Sequence, residues 1–481
     1  MNIRKDVKKQ VLAGLFWKFS ERIIAQLISL IVSIILARML EPTDYGAVSL
    51  VMVFITIANV FVSSGLGSAL IQKKDADNLD FSSVLFINIV MGLILYLVLF
   101  FIAPYVATFY NMPILAPVLR VLGIRIPVAA VNSVQHAYVS RNMLFKRFFW
   151  STLFGTLFSG IVGIAMAFQG WGVWALVAQY LVNCCTDTVV LWITIKWRPQ
   201  FKYSWERAKG LVKYGWKILV SGLIDSVYSQ LRSLIIGKLY RPESLAFYNQ
   251  GDKYPSLIVI NINASISGVL FPAIAQFQDD TEKMKQMTRR AIQVSSFVMW
   301  PMMIGLAVVA EPFVELILTD KWLSCVPYLR IFCFSYGLWP IHTANLQVLN
   351  AMGRSDLYLR LEIIKKAVGI ITLIITMQYG TLAIAWGVFF TGITSTFINS
   401  SPNKKLLNYT YYEQLQDLLP GLLLSGIMAL LIYPLHFLEI SSILLIILQV
   451  LLGGSIYLLL AFFIKQPTFL YLLSFVKKKH R

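Results

Sequence analysis

The sequence is poor in charge and in cysteine. Only 14% of its 481 residues are charged, with 23 acidic residues against 42 lysines and arginines. A soluble domain of this length needs far more polar surface, so a soluble globular protein is excluded. The four cysteines and four histidines follow no disulfide-framework or metal-ligand spacing, so we expect free thiols and no metal site. No paired carboxylates and no nucleophile with a base appear, so we predict no enzyme and no bound cofactor.

Long apolar segments take the place of the missing polar surface. Hydrophobic residues make up 58% of the chain, and the mean hydropathy is +0.70. Apolar runs of about 20 residues recur, each long enough to cross a bilayer, and backbone groups in lipid must be satisfied within a helix. We therefore predict an all-α integral membrane protein with fourteen transmembrane helices, at 12–37, 44–70, 80–103, 114–138, 148–168, 171–195, 211–239, 244–277, 286–309, 323–351, 357–377, 380–400, 418–435 and 440–464.

The net charge of +19 has two explanations, a nucleic-acid partner or an excess of basic residues in cytoplasmic loops. If the N-terminus is cytoplasmic, 31 of the 42 basic residues fall in inner loops or in the inner parts of the adjoining spans, and four fall in outer loops or at outer span ends. This asymmetry obeys the positive-inside rule. It predicts that both termini are cytoplasmic, and it explains most of the charge without nucleic acid.

An internal repeat divides the predicted helices. The string ILARMLEP at 35–42 matches IIGKLYRP at 235–242, and VLRVLG at 118–123 matches YLRIFC at 328–333. Because six helices bring the chain back to its starting side, the copies are parallel and related by a pseudo-two-fold axis along the membrane normal. We predict two six-helix lobes, 1–200 and 201–405, and two further helices with a basic tail in 406–481. Chance similarity between apolar helices is the alternative.

Predicted helices 1 and 7 each carry a polar stripe. At about 100° per residue, each stripe covers only about 80° of arc. The two stripes line up under the repeat, and we predict that they line a cavity that takes a phosphate-bearing, sugar-rich head group. The alternatives are an Asp225–Arg232 pair between packed helices, and lysines that extend toward the cytoplasmic face. The stripes contain Lys18, Arg22, Gln26, Ser29 and Ser33 in helix 1, and Lys217, Ser221, Asp225, Tyr228 and Arg232 in helix 7.

Other ionisable residues in the predicted spans extend this site. Asp252 and Lys253 are candidate cavity residues, with a neighbouring ion pair as the alternative. A second, outer phosphate site is predicted from basic residues that otherwise extend toward the outer interface: Arg120, Arg125 and Arg330. Asp225 is the candidate for coupling to a Na⁺ or H⁺ gradient, because a carboxylate among cations titrates or binds a cation. We interpret His136 and His342 as packed polar residues.

Four strings resemble one family of membrane proteins. They are ARMLEPTDYGAVSL (37–50), NSVQHAYVSRNMLFKRFF (132–149), GIAMAFQGWGVWALVAQYL (163–181) and LNAMGRSDLYLRLEIIKKAVG (349–369). These strings resemble the bacterial polysaccharide transporters, in the branch with the lipopolysaccharide, colanic acid and teichuronic acid exporters. That branch belongs to the multidrug/oligosaccharidyl-lipid/polysaccharide exporter superfamily. The resemblance covers about residues 10–400.

The resemblance implies a V-shaped two-lobe transporter that works by alternating access in the bacterial cytoplasmic membrane. Its implied substrate is an undecaprenyl-pyrophosphate-linked oligosaccharide, and its implied partners are membrane lipids and polysaccharide assembly proteins. Two alternatives stay open at this point. A multidrug antiporter of the superfamily prefers an acidic, aromatic cavity, and a polysaccharide polymerase needs a large outer loop with catalytic side chains.

Overall fold

The computed structural model describes the backbone of residues 2–479 except residue 439. Side chains are described for residue 17, residues 20–438 and residues 440–474, so the side chain of Lys18 lies outside the described residues. Every regular element in this part of the chain is a helix. Contacts divide the chain into two compact units, Met1–Ala246 and Phe247–Arg481.

The first unit contains nine helices within the described residues, before α10 begins. Helices α5 and α6 are two halves of one bent crossing, separated at Ile124. The helices are α1 (Asn2–Met39), α2 (Pro42–Ser63), α3 (Leu66–Gln72), α4 (Asn78–Tyr110), α5 (Leu115–Gly123), α6 (Arg125–Arg141), α7 (Phe145–Phe168), α8 (Val173–Thr194) and α9 (Trp205–Leu239).

The second unit holds most of α10 and all the helices after it. A second bent crossing appears here, because α13 and α14 are separated at Leu338. The helices are α10 (Pro242–Ala275), α11 (Thr281–Val308), α12 (Ala310–Leu318), α13 (Val326–Gly337), α14 (Trp339–Ala351), α15 (Ser355–Thr376), α16 (Thr381–Leu406), α17 (Tyr411–Ile432), α18 (Ser442–Phe463) and α19 (Pro467–Lys479).

Eleven stretches are long and apolar enough to cross a membrane, by length and composition within the described residues. Three predicted spans are helical but fall short of this standard. The polar stripe of α9 lowers its hydropathy, polar residues such as Arg330, His342 and Asn345 lower that of the segment 323–351, and α15 begins with a run of charged residues. The protein is thus a multi-pass helical membrane protein, whereas the count of fourteen crossings stays a prediction.

Helix α9 joins the first unit through a close, antiparallel seam with α2. A Cβ on Gly237 would lie 2.1 Å from Leu50 Cδ2, and a Cβ on Gly215 would lie 2.8 Å from the Gly65 backbone. Gly65 has φ +89, a conformation that favours glycine, and it separates α2 from α3. The absence of side chains lets the two backbones approach, so α9 packs within the unit although the repeat assigns it to the next lobe. The repeat boundary at 200/201 stays a prediction.

The last two predicted spans pack into the core of the second unit. Leu418 and Met428 of α17 and Ala461 of α18 belong to the same buried cluster as residues of α11 and α14. The Tyr457 hydroxyl donates to the Phe297 carbonyl at 2.8 Å. Within the described residues these helices are therefore part of the second unit's packed core.

Candidate functional site

The polar stripe of α1 is open along part of its length. Arg22 and Ser29 are exposed, and Gln26 and Ser33 are half-buried. The helix packs on α7 by another face, where a Cβ on Gly160 would lie 2.5 Å from Val32 Cγ2. The stripe is thus not consumed by the contact that holds α1 in the unit.

A separate exposed face of α1 is apolar. Leu27 is 55% exposed and Ile31 57% exposed. On a helical wheel these residues lie about 150° from the polar stripe. Acyl chains favour an apolar face, so lipid on this side of α1 would lie away from the polar stripe. This is the arrangement expected of a helix with lipid on one side and a hydrated space on the other.

Helix α9 also leaves part of its polar stripe exposed. Ser221 and Asp225 are exposed, while Tyr228 and Arg232 are half-buried, with the Arg232 guanidinium 5.9 Å from the centre of the Tyr228 ring. The exposed apolar residues of α9 lie nearer to its stripe than those of α1 do: Ile224, 56% exposed, is about 60° from the centre of the stripe. The glycine seam with α2 occupies a third face.

The candidate pair on α10 takes part in a local hydrogen bond. The Tyr336 hydroxyl of α13 donates to Asp252, and Lys253 is half-buried beside it. Gly251 brings the two helices together, because a Cβ there would lie 2.6 Å from Tyr328 Cβ. Asp252 is therefore oriented by a tyrosine from a later crossing, α13.

Two of the three outer arginines have matching environments. Arg120 Nε donates to the Phe100 carbonyl at 3.3 Å, and Arg330 Nε donates to the Ala307 carbonyl at 3.2 Å. Each arginine thus covers a carbonyl of the helix that precedes its own crossing. Arg330 also lies 3.5 Å from Glu311. These contacts hold both guanidinium groups in place, and the outer phosphate site stays a prediction.

Arg125 lies near an aromatic ring and a sulfur atom. Its guanidinium is 5.7 Å from the centre of the Tyr180 ring, and its Nη1 is 3.8 Å from Met52 Sδ. It starts α6, one residue beyond the bend that separates α5 from α6. Arg125 is therefore positioned by α2 and α8 as well as by its own helix.

A further match between the two units supports the repeat. At the end of α6, Met143 has φ +54, and at the end of α14, Gly353 has φ +69. The N–H of the following residue, Leu144 or Arg354, donates to a carbonyl five residues back, at 3.0 Å and 2.9 Å. The same turn thus closes both helices at an offset of 210 residues. The lobe symmetry itself stays a prediction.

Sequence reasoning missed a polar cluster between α6 and α8. Asn132 Nδ2 donates to Asp187 Oδ2 at 2.6 Å, and His136 Nε2 lies 3.2 Å from the same oxygen. The His136 side chain is 47% exposed, which does not agree with a packed polar residue. The available signal was a lone carboxylate, Asp187, inside a predicted span. Its partners could not be read from the sequence because they lie more than fifty residues away.

A second missed cluster fixes α17 to α11. Arg289 holds the Asp417 carboxylate through two hydrogen bonds of 2.8 and 2.9 Å, and the Tyr409 hydroxyl donates to Asp417 at 2.7 Å. One turn along, Lys285 bonds Glu413 at 2.8 Å. Glu413 also completes a capping box at the start of α17. These residues anchor a helix and do not form an open site.

A third cluster holds the loop between α3 and α4. Arg207 donates to Asp77, the N-cap residue of α4, and Lys73 bonds the buried Asp80 at 2.7 Å. The hydrogen bond from Arg207, with the Asp80 N–H, lowers the pKa of Asp77 to about 2 from its ordinary 3.8. Within the first unit this cluster ties the start of α9 to the start of α4.

Eleven membrane-crossing stretches and two polar helix faces define the class as a multi-pass helical membrane protein. Residues 35–327 match a family model described as polysaccharide biosynthesis protein. The chain belongs to this polysaccharide biosynthesis family.

Three curated relatives align with different fractions of the chain. The succinoglycan biosynthesis transport protein ExoT of Rhizobium meliloti is 26% identical over 66% of this chain and 65% of its own length, just under two thirds. The teichuronic acid biosynthesis protein TuaB of Bacillus subtilis is 24% identical over 73% of each chain. The lipopolysaccharide biosynthesis protein WzxC of Escherichia coli is 22% identical over 82% of this chain and 81% of its own.

Solved structures show the fold. The lipid II flippase MurJ, in an inward closed conformation, aligns with a TM-score of 0.77 at 16% identity and covers 94% of this chain and 99% of that one. An inward-facing multidrug resistance MATE transporter aligns with a TM-score of 0.62 at 16% identity, covering 80% and 94%. At these identities the likeness concerns the arrangement of helices alone.

Proposed function

We propose that this protein is a flippase that moves an undecaprenyl-pyrophosphate-linked oligosaccharide from the cytoplasmic to the periplasmic leaflet. It acts in the bacterial cytoplasmic membrane, with both termini cytoplasmic, during synthesis of a surface polysaccharide. Membership of the polysaccharide biosynthesis family supports this, as do the names of ExoT, TuaB and WzxC. The fold of the lipid II flippase MurJ supports it as well.

The separation of polar and apolar exposed faces on α1 is the observation that carries the proposal. A helix that only packed against its neighbours would have no use for an exposed arginine opposite Leu27 and Ile31. A flippase needs this separation, because a charged head group must cross while the lipid tail stays in the bilayer.

The chemistry of the stripe suits an anionic glycan. The planar fork of Arg22 can hold two phosphate oxygens, and the Gln26 amide and Ser29 hydroxyl can exchange hydrogen bonds with sugar hydroxyls. No bond is made or broken in such a passage, so the protein is a transporter and not an enzyme. A multidrug antiporter for cationic compounds is disfavoured, since the α1 stripe presents a cation.

We propose further that transport is an alternating-access cycle coupled to a Na⁺ or H⁺ gradient. An equilibrium between two states is shifted only by a ligand or ion that binds one of them better. The fourteen crossings, the two parallel six-helix lobes and the remaining cavity residues are part of this proposal.

Deletion of the gene tests the function directly. Loss of the flippase should leave lipid-linked oligosaccharide in the cytoplasmic leaflet. A membrane-impermeant oxidant or lectin added outside spheroplasts cannot reach it there. Surface polysaccharide should fall in parallel. Full labelling of the lipid-linked sugar in the deletion strain would contradict the proposal.

Replacement of one arginine tests the stripe. A hydrogen bond to a charged group contributes about 1.5–3 kcal/mol, so Arg22→Gln should reduce transport about tenfold to a hundredfold. Lys74→Gln is the matched control, because Lys74 is an exposed basic side chain in the loop after α3. Equal activity of both variants, at equal membrane abundance, would remove Arg22 from the site.

A further inference from the structure

Three polar side chains meet inside the first unit, and we name Asn132, His136 and Asp187 the α6–α8 triangle. The Asn132 Nδ2 atom lies 2.6 Å from Asp187 Oδ2 and 3.2 Å from His136 Nε2. The third side, from His136 Nε2 to Asp187 Oδ2, is also 3.2 Å. The three atoms are close enough to share protons.

The triangle lies within membrane-crossing stretches but near one end of them. Both helices belong to such stretches, Leu115–Arg141 and Val173–Thr194. His136 is five residues from the end of α6 and Asp187 seven from the end of α8, or about 8 and 10 Å of helix. The His136 and Asp187 side chains are 47% and 21% exposed. The pair is therefore accessible, unlike a buried structural ion pair.

Neighbouring side chains hold the His136 ring in place while the side chain stays partly exposed. The Phe148 ring of α7 stacks on His136 with 4.8 Å between ring centres. The nearest titratable group on α8 is Cys184, whose sulfur donates to the Arg125 carbonyl at 3.9 Å. On α1, Glu21 accepts from Thr152 of α7 at 2.9 Å.

Charged groups on the other elements packed here have partners of their own. Asp44 of α2 accepts a hydrogen bond from the Glu41 N–H, and Lys73, just after α3, bonds Asp80 of α4. Arg120 of α5 donates to the Phe100 carbonyl, and Arg141 of α6 donates to the Leu70 and Lys74 carbonyls. Lys146 of α7 lies over the Trp17 ring.

The geometry calls for one proton between His136 and Asp187. An imidazole nitrogen without hydrogen and a carboxylate oxygen are both acceptors, and two acceptors 3.2 Å apart repel. A proton on Nε2 turns the contact into a charge-assisted hydrogen bond and neutralises the net charge of the pair. Asn132 Nδ2 donates to the carboxylate and lies 3.2 Å from Nε2, to which it can donate when that nitrogen carries no hydrogen; protonation of Nε2 replaces this hydrogen bond with the one to Asp187.

The second unit supplies a natural control. At the offset of 210 residues shown by the closing turns, Asn132 corresponds to His342 on α14. His342 Nδ1 lies 2.9 Å from Asn399 Nδ2, and its Nε2 lies 3.4 Å from Thr396 Oγ1. An amide and a hydroxyl therefore surround this histidine, where the first unit presents a carboxylate.

We propose that the α6–α8 triangle is the proton-binding site that couples the transport cycle to the proton gradient. This inference rests on the flippase function proposed above. Proton uptake joins His136 to Asp187, and proton release leaves a lone carboxylate that repels the imidazole lone pair. The two states of the pair then favour different arrangements of α6 and α8. The bound ligand is the proton itself, carried between imidazole and carboxylate.

The test measures the distribution of lipid-linked oligosaccharide between leaflets. The full-length protein is reconstituted in one orientation, checked by protease access to a terminal tag, with the native lipid-linked oligosaccharide. A pH difference of one unit should change the leaflet ratio about tenfold if one proton moves per substrate. With equal pH on both sides, the wild type should bring the amounts of lipid-linked oligosaccharide in the two leaflets to equality.

Variants then assign the response. At equal pH, the variants Asp187→Asn and His136→Gln should still bring the amounts of lipid-linked oligosaccharide in the two leaflets to equality. They should lose the response to the pH difference. The double swap Asn132→Asp with Asp187→Asn, which keeps one carboxylate in the triangle, should restore it. His342→Gln is the matched control and should respond as the wild type does, and size-exclusion profiles verify folding of every variant.

Several outcomes overturn the inference. A wild-type pH response in both Asp187→Asn and His136→Gln would do so, and so would a response that Asp225→Asn abolishes while those two variants keep it. A wild type that responds to a Na⁺ gradient and not to pH would equally contradict it. A folded wild type that moves no substrate at all would contradict the flippase function itself, so the two failures are distinguishable.

Discussion

Loss of the Asp417 carboxylate should destabilise the second unit strongly. The side chain is 4% exposed and accepts hydrogen bonds from Arg289, Gln293 and Tyr409. Asp417→Leu leaves the guanidinium and two further donors without their acceptor. Removal of one partner costs about 3–5 kcal/mol when the remaining charge is buried, but the Arg289 side chain is 36% exposed, so a smaller loss of about 2–3 kcal/mol is expected.

The assay is thermal unfolding of the purified protein in detergent, followed by tryptophan fluorescence. Asp417→Leu should lower the Tm clearly, whereas the double variant Arg289→Met with Asp417→Leu should recover most of the loss. The reason is that an apolar pair of similar volume can replace a buried ion pair at little cost. Asp356→Asn is the matched control, since Asp356 pairs with Arg354 at 3.0 Å on an exposed surface and should leave Tm unchanged.

Two results would show that this reasoning is wrong. One is an Asp417→Leu variant as stable as the wild type, which would mean that the carboxylate contributes no net stability. The other is a double variant no more stable than Asp417→Leu alone, because the unpaired Arg289 would then not be the origin of the loss.

Three further expectations follow from the first unit. Gly46→Ala should destabilise the protein, because its Cβ would lie 2.1 Å from the Pro242 carbonyl oxygen, while Gly67→Ala, with nothing within 4 Å, should not; thermal unfolding distinguishes them. Asp77→Asn should lower stability slightly at neutral pH, since the carboxyl pKa is depressed to about 2 by Arg207. That stabilisation is present above the ordinary pKa of 3.8 and is lost as pH falls through about 2, so the variant and wild-type unfolding curves should converge in acid and in high salt.

A polar stripe was predictable because it depends on a single helix, whereas its role as a binding site stays a prediction. The stripe from Arg22 to Ser29 follows from the helical period alone, and the exposed fractions of α1 agree with it. The free cysteines were predicted correctly from their spacing. The bends at Ile124 and Leu338 lie just before Pro127 and Pro340, and proline is the local signal that marks a kink inside an apolar run.

Pairing between helices could not be derived in the same way. Asp187 finds His136 and Asn132, and Asp417 finds Arg289, across separations of 51 to 128 residues. A lone intramembrane carboxylate signals that a partner exists, but its identity depends on which helix faces meet. Asp252 likewise receives the hydroxyl of Tyr336 from another crossing.

By itself, the sequence determined that this chain crosses a membrane as many helices and that α1 and α9 each carry a narrow polar stripe, because hydropathy and helical period are local properties. Tertiary structure alone decided that α9 packs on α2 through bare glycine backbones and that Asp187 meets His136. Those contacts depend on which helix faces meet and how closely the helices approach, and neither can be read from the order of residues along the chain.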